Sequence, residues 1–178
     1  MVANTADLSS SDAVQTIFIT GLQNAHALEK EAVQLMERQI ERLEHYPEME
    51  RLLKTHLKET QGQIERLQDV LHAFGEDRSL LKDVATQFMG NMAAVAHVPM
   101  QDEILKNTFA NHAFENFEIA AYKSLITVAE AAGHSKYVPA LRQTLREEEK
   151  TAQAIYDQIE AITGKYLARE AKNLKADR

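Results

Sequence analysis

Apolar residues recur along this chain at alternating steps of three and four, the spacing that lines one face of an α-helix. The first such run is Phe18, Leu22, Ala25, Glu29, Ala32, Met36, Ile40 and Leu43, and Glu29 is its one charged member. Ser9-Ser10-Ser11-Asp12 precedes it as a helix start, with Ser11 or Asp12 as N-cap. His45-Tyr46-Pro47 stops it, because a residue before proline avoids the helical region. A second helix is predicted over residues 48–74, with a seam of Leu53, Leu57, Thr60, Ile64, Leu67, Leu71 and Phe74. His56, Glu59 and Gln63 line one flank of that seam, and Gly75 closes the helix.

Residues 79–96 read as a shorter crossover helix, apolar at Leu80, Leu81, Val84, Phe88 and Met92 and stopped by His97-Val98-Pro99. A third long helix is predicted over residues 100–132, with Gly133 as its terminator. The fourth covers residues 136–163, with Leu141, Leu145, Glu148, Ala152, Ile155, Ile159 and Ile162 as its seam and Gly164 as its end. The pattern is all-α: a four-helix bundle whose crossover connection contains a short extra helix, the architecture of ferritin-like folds. Residues 1–11 are expected to be a flexible N-terminus, 12–164 the bundle, and 165–178 a basic C-terminal tail, frayed or mobile.

The third helix carries Asn111-His112-Ala113-Phe114-Glu115-Asn116-Phe117-Glu118-Ile119-Ala120-Ala121-Tyr122. Phe114, Phe117, Ala121 and Leu125 are expected to face the core, which puts Glu118 inside the apolar stripe and Glu115 along its edge. A carboxylate in a core is costly unless it is neutralised, paired or bound to a metal.

A shift of 89 positions carries Glu29 onto Glu118, Glu59 onto Glu148 and Gly75 onto Gly164. Each half then offers two helices joined by a short turn, with one glutamate on each helix at similar depth. Four or five carboxylates at one level of a bundle repel one another by several kcal/mol per close pair. Two cations relieve that repulsion, and a glutamate from each helix is the di-iron carboxylate arrangement. Oxygen donors with few imidazoles suit iron, with manganese or zinc as competitors.

Composition narrows the chemistry further. The 178 residues contain no cysteine, which excludes disulfides, thiolate zinc sites and cysteine nucleophiles. A formal charge of −7 argues against nucleic acid or an anionic membrane as partner. Met1 to Ser11 lack the basic and apolar regions of a signal peptide, and no apolar run reaches membrane-spanning length. The expected protein is soluble and cytoplasmic.

Four segments resemble the YciF-type branch of the ferritin-like, rubrerythrin-related proteins. They are Ala27-Leu28-Glu29-Lys30, the run from His56 through Glu59 and Gln63 to Leu67, the run Glu115 to Tyr122, and Leu145-Arg146-Glu147-Glu148, in order across residues 14–162. The resemblance implies a bacterial, stress-associated homodimer with a rubrerythrin-like helical core. It also implies that Glu115 and Glu118 correspond to the Glu-x-x-Glu motif on the third helix of rubrerythrin. The Glu-x-x-His of ferritins is missing, since Gly62 follows Glu59 by three and Thr151 follows Glu148 by three. His56, one turn before Glu59, is the candidate replacement, and a histidine merely bonded to Glu59 is the alternative.

The candidate metal ligands are therefore Glu29, Glu59, Glu115, Glu118, Glu148 and His56, with two iron ions as cofactor. Glu147 competes with Glu148, and the seam favours Glu148 because it continues Leu145 and Ala152. Gln63 and Tyr122 are expected either to bond a carboxylate or simply to pack, while His26 and His112 are expected outside the ligand set. Two functions follow: Fe(II) oxidation or peroxide removal at a di-metal centre, and a non-enzymatic stress protein acting through a dimer or partner interface.

Overall fold

The computed structural model describes residues 12–75 and 101–178. Ser11, the helix expected over 79–96 and the His97-Val98-Pro99 stop lie outside the described residues. Among the described residues there are four long helices and no strand: α1 (Asp12–Ile40), α2 (Pro47–Ala73), α3 (Glu103–Ala131) and α4 (Val138–Glu170). A 3-10 turn, Ser135–Tyr137, leads into α4. Pro47 and Pro139 sit in the first turns of α2 and α4, where a missing N–H costs nothing. Gly133 takes a φ of 76° just past α3, a left-handed conformation that suits glycine and ends the helix.

Cross-helix contacts fix the topology. Gln39 of α1 pairs with Asn111 of α3, Glu29 with Tyr122, and a Cβ on Gly21 would lie 2.9 Å from Leu125, so α1 and α3 are antiparallel. His56 meets Thr151, Gln63 meets Glu148 and Arg66 meets Thr144, so α2 and α4 are antiparallel too. The order is up, down, down, up. Arg42 binds both oxygens of Glu103 at 2.6 and 2.5 Å, which places the start of α3 beside the α1–α2 turn. Phe74, at the far end of α2, stacks instead with Phe18, His134 and Tyr137. The connection between α2 and α3 must therefore travel the length of the 27-residue α2, about 40 Å. This is a four-helix bundle with one long crossover.

Two inward faces are rotated from the predicted seams. On α2 the buried residues are Met49, Leu53, His56, Thr60, Gln63, Leu67, Val70 and Leu71; the expected seam residues Leu53, Thr60, Leu67 and Leu71 are among them, while Leu57 and Ile64 are only partly buried. On α3 Glu115, Glu118 and Tyr122 occupy the centre, whereas Phe117, expected in the core, is 51% exposed. Apolar periodicity misplaces both faces for one reason: their central members are polar. In α1 and α4 only the single glutamate interrupts each seam, and the expected residues Phe18 to Met36 and Leu141 to Ile155 are buried.

The apolar core is consequently divided. One cluster, around Phe18, Leu22, Leu71, Leu125, Ala129 and Leu141, fills the end near Gly133. The other, around Met36, Met49, Leu53, Ile104, Phe114 and Ile162, fills the end near Pro47. Between them lies a layer of buried polar residues.

The end of the chain departs from the expected tail. α4 continues through Gly164 to Glu170, with Tyr166 packed on the second apolar cluster. Asn173, at φ 51°, turns the chain back. Tyr46 Oη then donates to Ala176 O at 2.6 Å, Ile104 N donates to Asp177 O at 2.9 Å, and Lys175 reaches Glu44 at 2.9 Å. The segment thereby pairs the first-turn backbone N–H of Ile104, a group that has no acceptor within its own helix.

Candidate metal centre

All four helices contribute to the polar layer: Glu29 from α1, His56, Thr60 and Gln63 from α2, Glu115, Glu118 and Tyr122 from α3, and Glu148 and Thr151 from α4. Each is buried, and Glu118, Glu148, Thr60 and Gln63 are 0% exposed. His56, Glu115, Glu118 and Glu148 each present a donor atom, and these four atoms lie within 4.8 Å of one another. His56 Nε2 stands 3.1 Å from Glu115 Oε2 and 3.5 Å from Glu148 Oε2. These are charge contacts rather than aligned hydrogen bonds. His56 Nε2, Glu115 Oε2, Glu148 Oε2 and both Glu118 oxygens have no hydrogen-bond partner among the described residues.

The other atoms of the same side chains are held from behind. His56 Nδ1 lies 3.0 Å from Thr151 Oγ1 and 3.6 Å from Glu59 Oε2. Gln63 Nε2 donates to Glu148 Oε1 and, at 3.1 Å, to Glu147 Oε2. Glu147 in turn accepts from Arg66, which also binds Thr144 Oγ1 at 3.1 Å. Glu29 Oε1 accepts from Tyr122 Oη at 2.5 Å while its Oε2 has no partner. Free donors pointing inward and bonded atoms pointing outward is how metal-ligating side chains are oriented.

The electrostatics match that reading. Burial is the main reason Glu29 is pushed up to about 8 and Glu118 well above the carboxylate range, with neighbouring carboxylates adding to the rise at Glu118. Burial alone would lower His56, yet Glu115, Glu59 and Glu148 together raise it to about 10. Glu59 is drawn down to about 2 by His56 first, then by Lys150. Without a cation the layer holds its protons; a cation would displace them. The donor set, carboxylate oxygens with one imidazole, fits a hard or borderline divalent metal such as iron, manganese or zinc.

Of the residues singled out in the sequence, His56, Glu115, Glu118 and Glu148 converge, and Glu29 stands in the same layer, bonded to Tyr122. Glu59 stands apart, at the edge of the bundle, where its carboxylate binds Lys150 at 2.8 Å. Glu148 rather than Glu147 enters the layer. His26 is buried beside Gln68 Nε2 at 3.2 Å, and His112 Nδ1 lies 3.2 Å from Ala152 O. Sequence reasoning placed Thr60 in the seam but gave it no part in the site, and it missed Arg66 and the centrality of Glu115. The available signal was positional, since Thr60 and Gln63 lie four and seven residues beyond His56 on one helical face.

With this geometry in view, the comparisons with known proteins become decisive. The sequence profile of a family described as a domain of unknown function (DUF892) matches residues 13–168. The chain belongs to this YciF-type family. Protein YciF of Escherichia coli (strain K12) is 28% identical over 149 residues, which span 78% of this chain and 85% of the relative. A protein of known crystal structure from Xanthomonas campestris is 30% identical with a TM-score of 0.75, covering 89% of this chain and 99% of that one. The crystal structure of the Escherichia coli stress protein YciF superposes with a TM-score of 0.71 at 25% identity, over 84% of this chain and 96% of that one. The family thus shares this helical bundle, and in this member a buried histidine–glutamate group could hold a metal ion. No helix among the described residues is long and apolar enough to cross a membrane.

Proposed function

We propose that this chain is a ferritin-like di-iron carboxylate protein of bacterial stress defence, oxidising Fe(II) or removing peroxide. The observation that carries this reading is Glu118: fully enclosed, with both oxygens unpartnered, beside Glu115, Glu148 and His56. An enclosed carboxylate without a partner is too costly to retain unless something binds there. Glu115, Glu118, Glu148 and His56 would hold one ion, and Glu29 would contribute to a second. Bound iron supplies the redox chemistry and Lewis acidity. The protein's own groups keep the pocket dry, orient the carboxylates through Gln63 and Tyr122, and give up the layer's protons as the metal enters.

The absence of cysteine leaves the chain without a thiolate relay of its own, which favours a second reading: metal is bound for structure, and a dimer or partner surface does the work. Exposed Phe109 and Tyr156 on α3 and α4 support a homodimer under either reading. Aerobic stopped-flow after Fe(II) addition separates the two. Ferric absorbance with several turnovers per centre is expected for catalysis, and stoichiometric, inert binding replaces it with the structural role. Metal analysis of Glu118→Ala checks the site, since undiminished content would remove it.

A further inference from the structure

The centre is enclosed, so an ion needs a way in. Both ends of the bundle are filled by apolar clusters, through which a hydrated cation does not pass. Entry is therefore lateral, between two helices. Of the neighbouring pairs, α2 and α4 are the most sparsely packed. At the level of the polar layer their seam opens into a cleft with a cavity volume of about 230 Å³. The charged residues Arg51, Glu59 and Lys150 line it together with Thr55, Thr151 and His56.

His56 is the partition between cleft and centre. Its Nδ1 side meets Thr151 and Glu59, the cleft residues, while its Nε2 side meets Glu115 and Glu148, the centre residues. Glu59, with a side chain 24% exposed, is the carboxylate reachable from solvent in direct contact with this ring. Its partner Lys150 is 68% exposed and is in no other ion pair among the described residues, so it can swing away at little cost.

We propose that the α2–α4 cleft is the loading port for divalent cations, with Glu59 as the carboxylate that first receives the ion, Lys150 as its exchangeable counter-ion and His56 as the inner gate. This rests on the metal-binding reading above. A hydrated divalent ion displaces Lys150 from Glu59, exchanging one charge pair for another without exposing a buried carboxylate. Rotation of the His56 ring then passes the ion from Glu59 to Glu115 and Glu148. The placement of Glu59 outside the converging group, although it matches Glu148 in the repeat, is accounted for by this transit role.

Anaerobic stopped-flow mixing of the metal-free full chain with Co(II) chloride reads loading from the absorption of the bound ion. Metal analysis after gel filtration reads the final content. Ala154→Phe fills the cleft and is expected to slow loading at least about tenfold with unchanged final content. Lys150→Gln frees Glu59 and removes a positive charge from the cleft, and is expected to speed loading about threefold at low ionic strength, the gain fading with salt. Being a surface change, it keeps the test decisive should Ala154→Phe fail to fold. Ser135→Phe, in the separate cavity beside Glu130 and Arg142, serves as the control and should load at the parent rate. Parent-like rates in Ala154→Phe or in Lys150→Gln overturn the port while leaving the metal site standing. A parent chain that takes up no Co(II) removes both.

Discussion

Tyr122 on α3 donates its hydroxyl to Glu29 on α1 across 2.5 Å, and each of the two residues is only 1% exposed. The contact ties the two halves of the chain together in the middle of the bundle. It also occupies one oxygen of Glu29 and leaves the other facing the layer.

Removing that hydroxyl leaves a buried carboxylate oxygen unpaired. Tyr122→Phe is expected to lower the stability of the metal-free protein by about 1–3 kcal/mol, read from urea unfolding in the presence of chelator. A midpoint equal to the parent's would show that the hydroxyl does not hold Glu29.

The metal-free protein should be most stable near pH 5. Glu29 rises from 4.5 to about 8, so between those values the folded state holds a proton that the unfolded chain releases, and stability falls as pH rises. His56 rises from 6.5 to about 10; its contribution is complete below 6.5 and is lost as pH climbs through 10. Glu59 falls from 4.5 to about 2, so its contribution is present above 4.5 and lost as pH drops toward 2. Thermal unfolding from pH 3 to 10 should trace this dome, and Glu29→Gln should flatten its decline between pH 5 and 8. A metal-free protein that grows more stable from pH 5 to 8 would contradict the assignment.

Gln63 acts on the centre through Glu148. Gln63→Leu keeps the packing volume but removes the amide that fixes Glu148 Oε1, and metal affinity should fall about 10- to 100-fold by competition titration. The fold should survive, because Leu67 and Leu53 continue the same buried face. Unchanged affinity would reduce Gln63 to a packing residue.

The docked C-terminal segment should stabilise the bundle end. Ending the chain at Asn173 deletes the bonds from Tyr46 to Ala176 and from Ile104 to Asp177 and removes the buried Ala176. A loss of about 2 kcal/mol is expected, with hydrogen exchange accelerating first around residues 41–46. Parent-like exchange there would mean that the segment contributes nothing to the turn.

The sequence by itself determined the helices, their order and the long crossover, because strong 3.6-residue periodicity punctuated by Pro47, Gly75 and Gly133 admits little else. It also marked Glu29, Glu118 and Glu148, since each interrupts an otherwise apolar line and thereby announces its own burial. Where the inward face is itself polar, that signal vanishes. His56 and Gln63 on α2, and Glu115 on α3, look like flank residues until a neighbouring helix covers them. Glu59 shows the converse. Its register matches Glu148, yet the rotation of α2 turns it to the edge and brings His56 inward in its place. That rotation is set by how whole helices pack against one another, and only the tertiary structure could decide it.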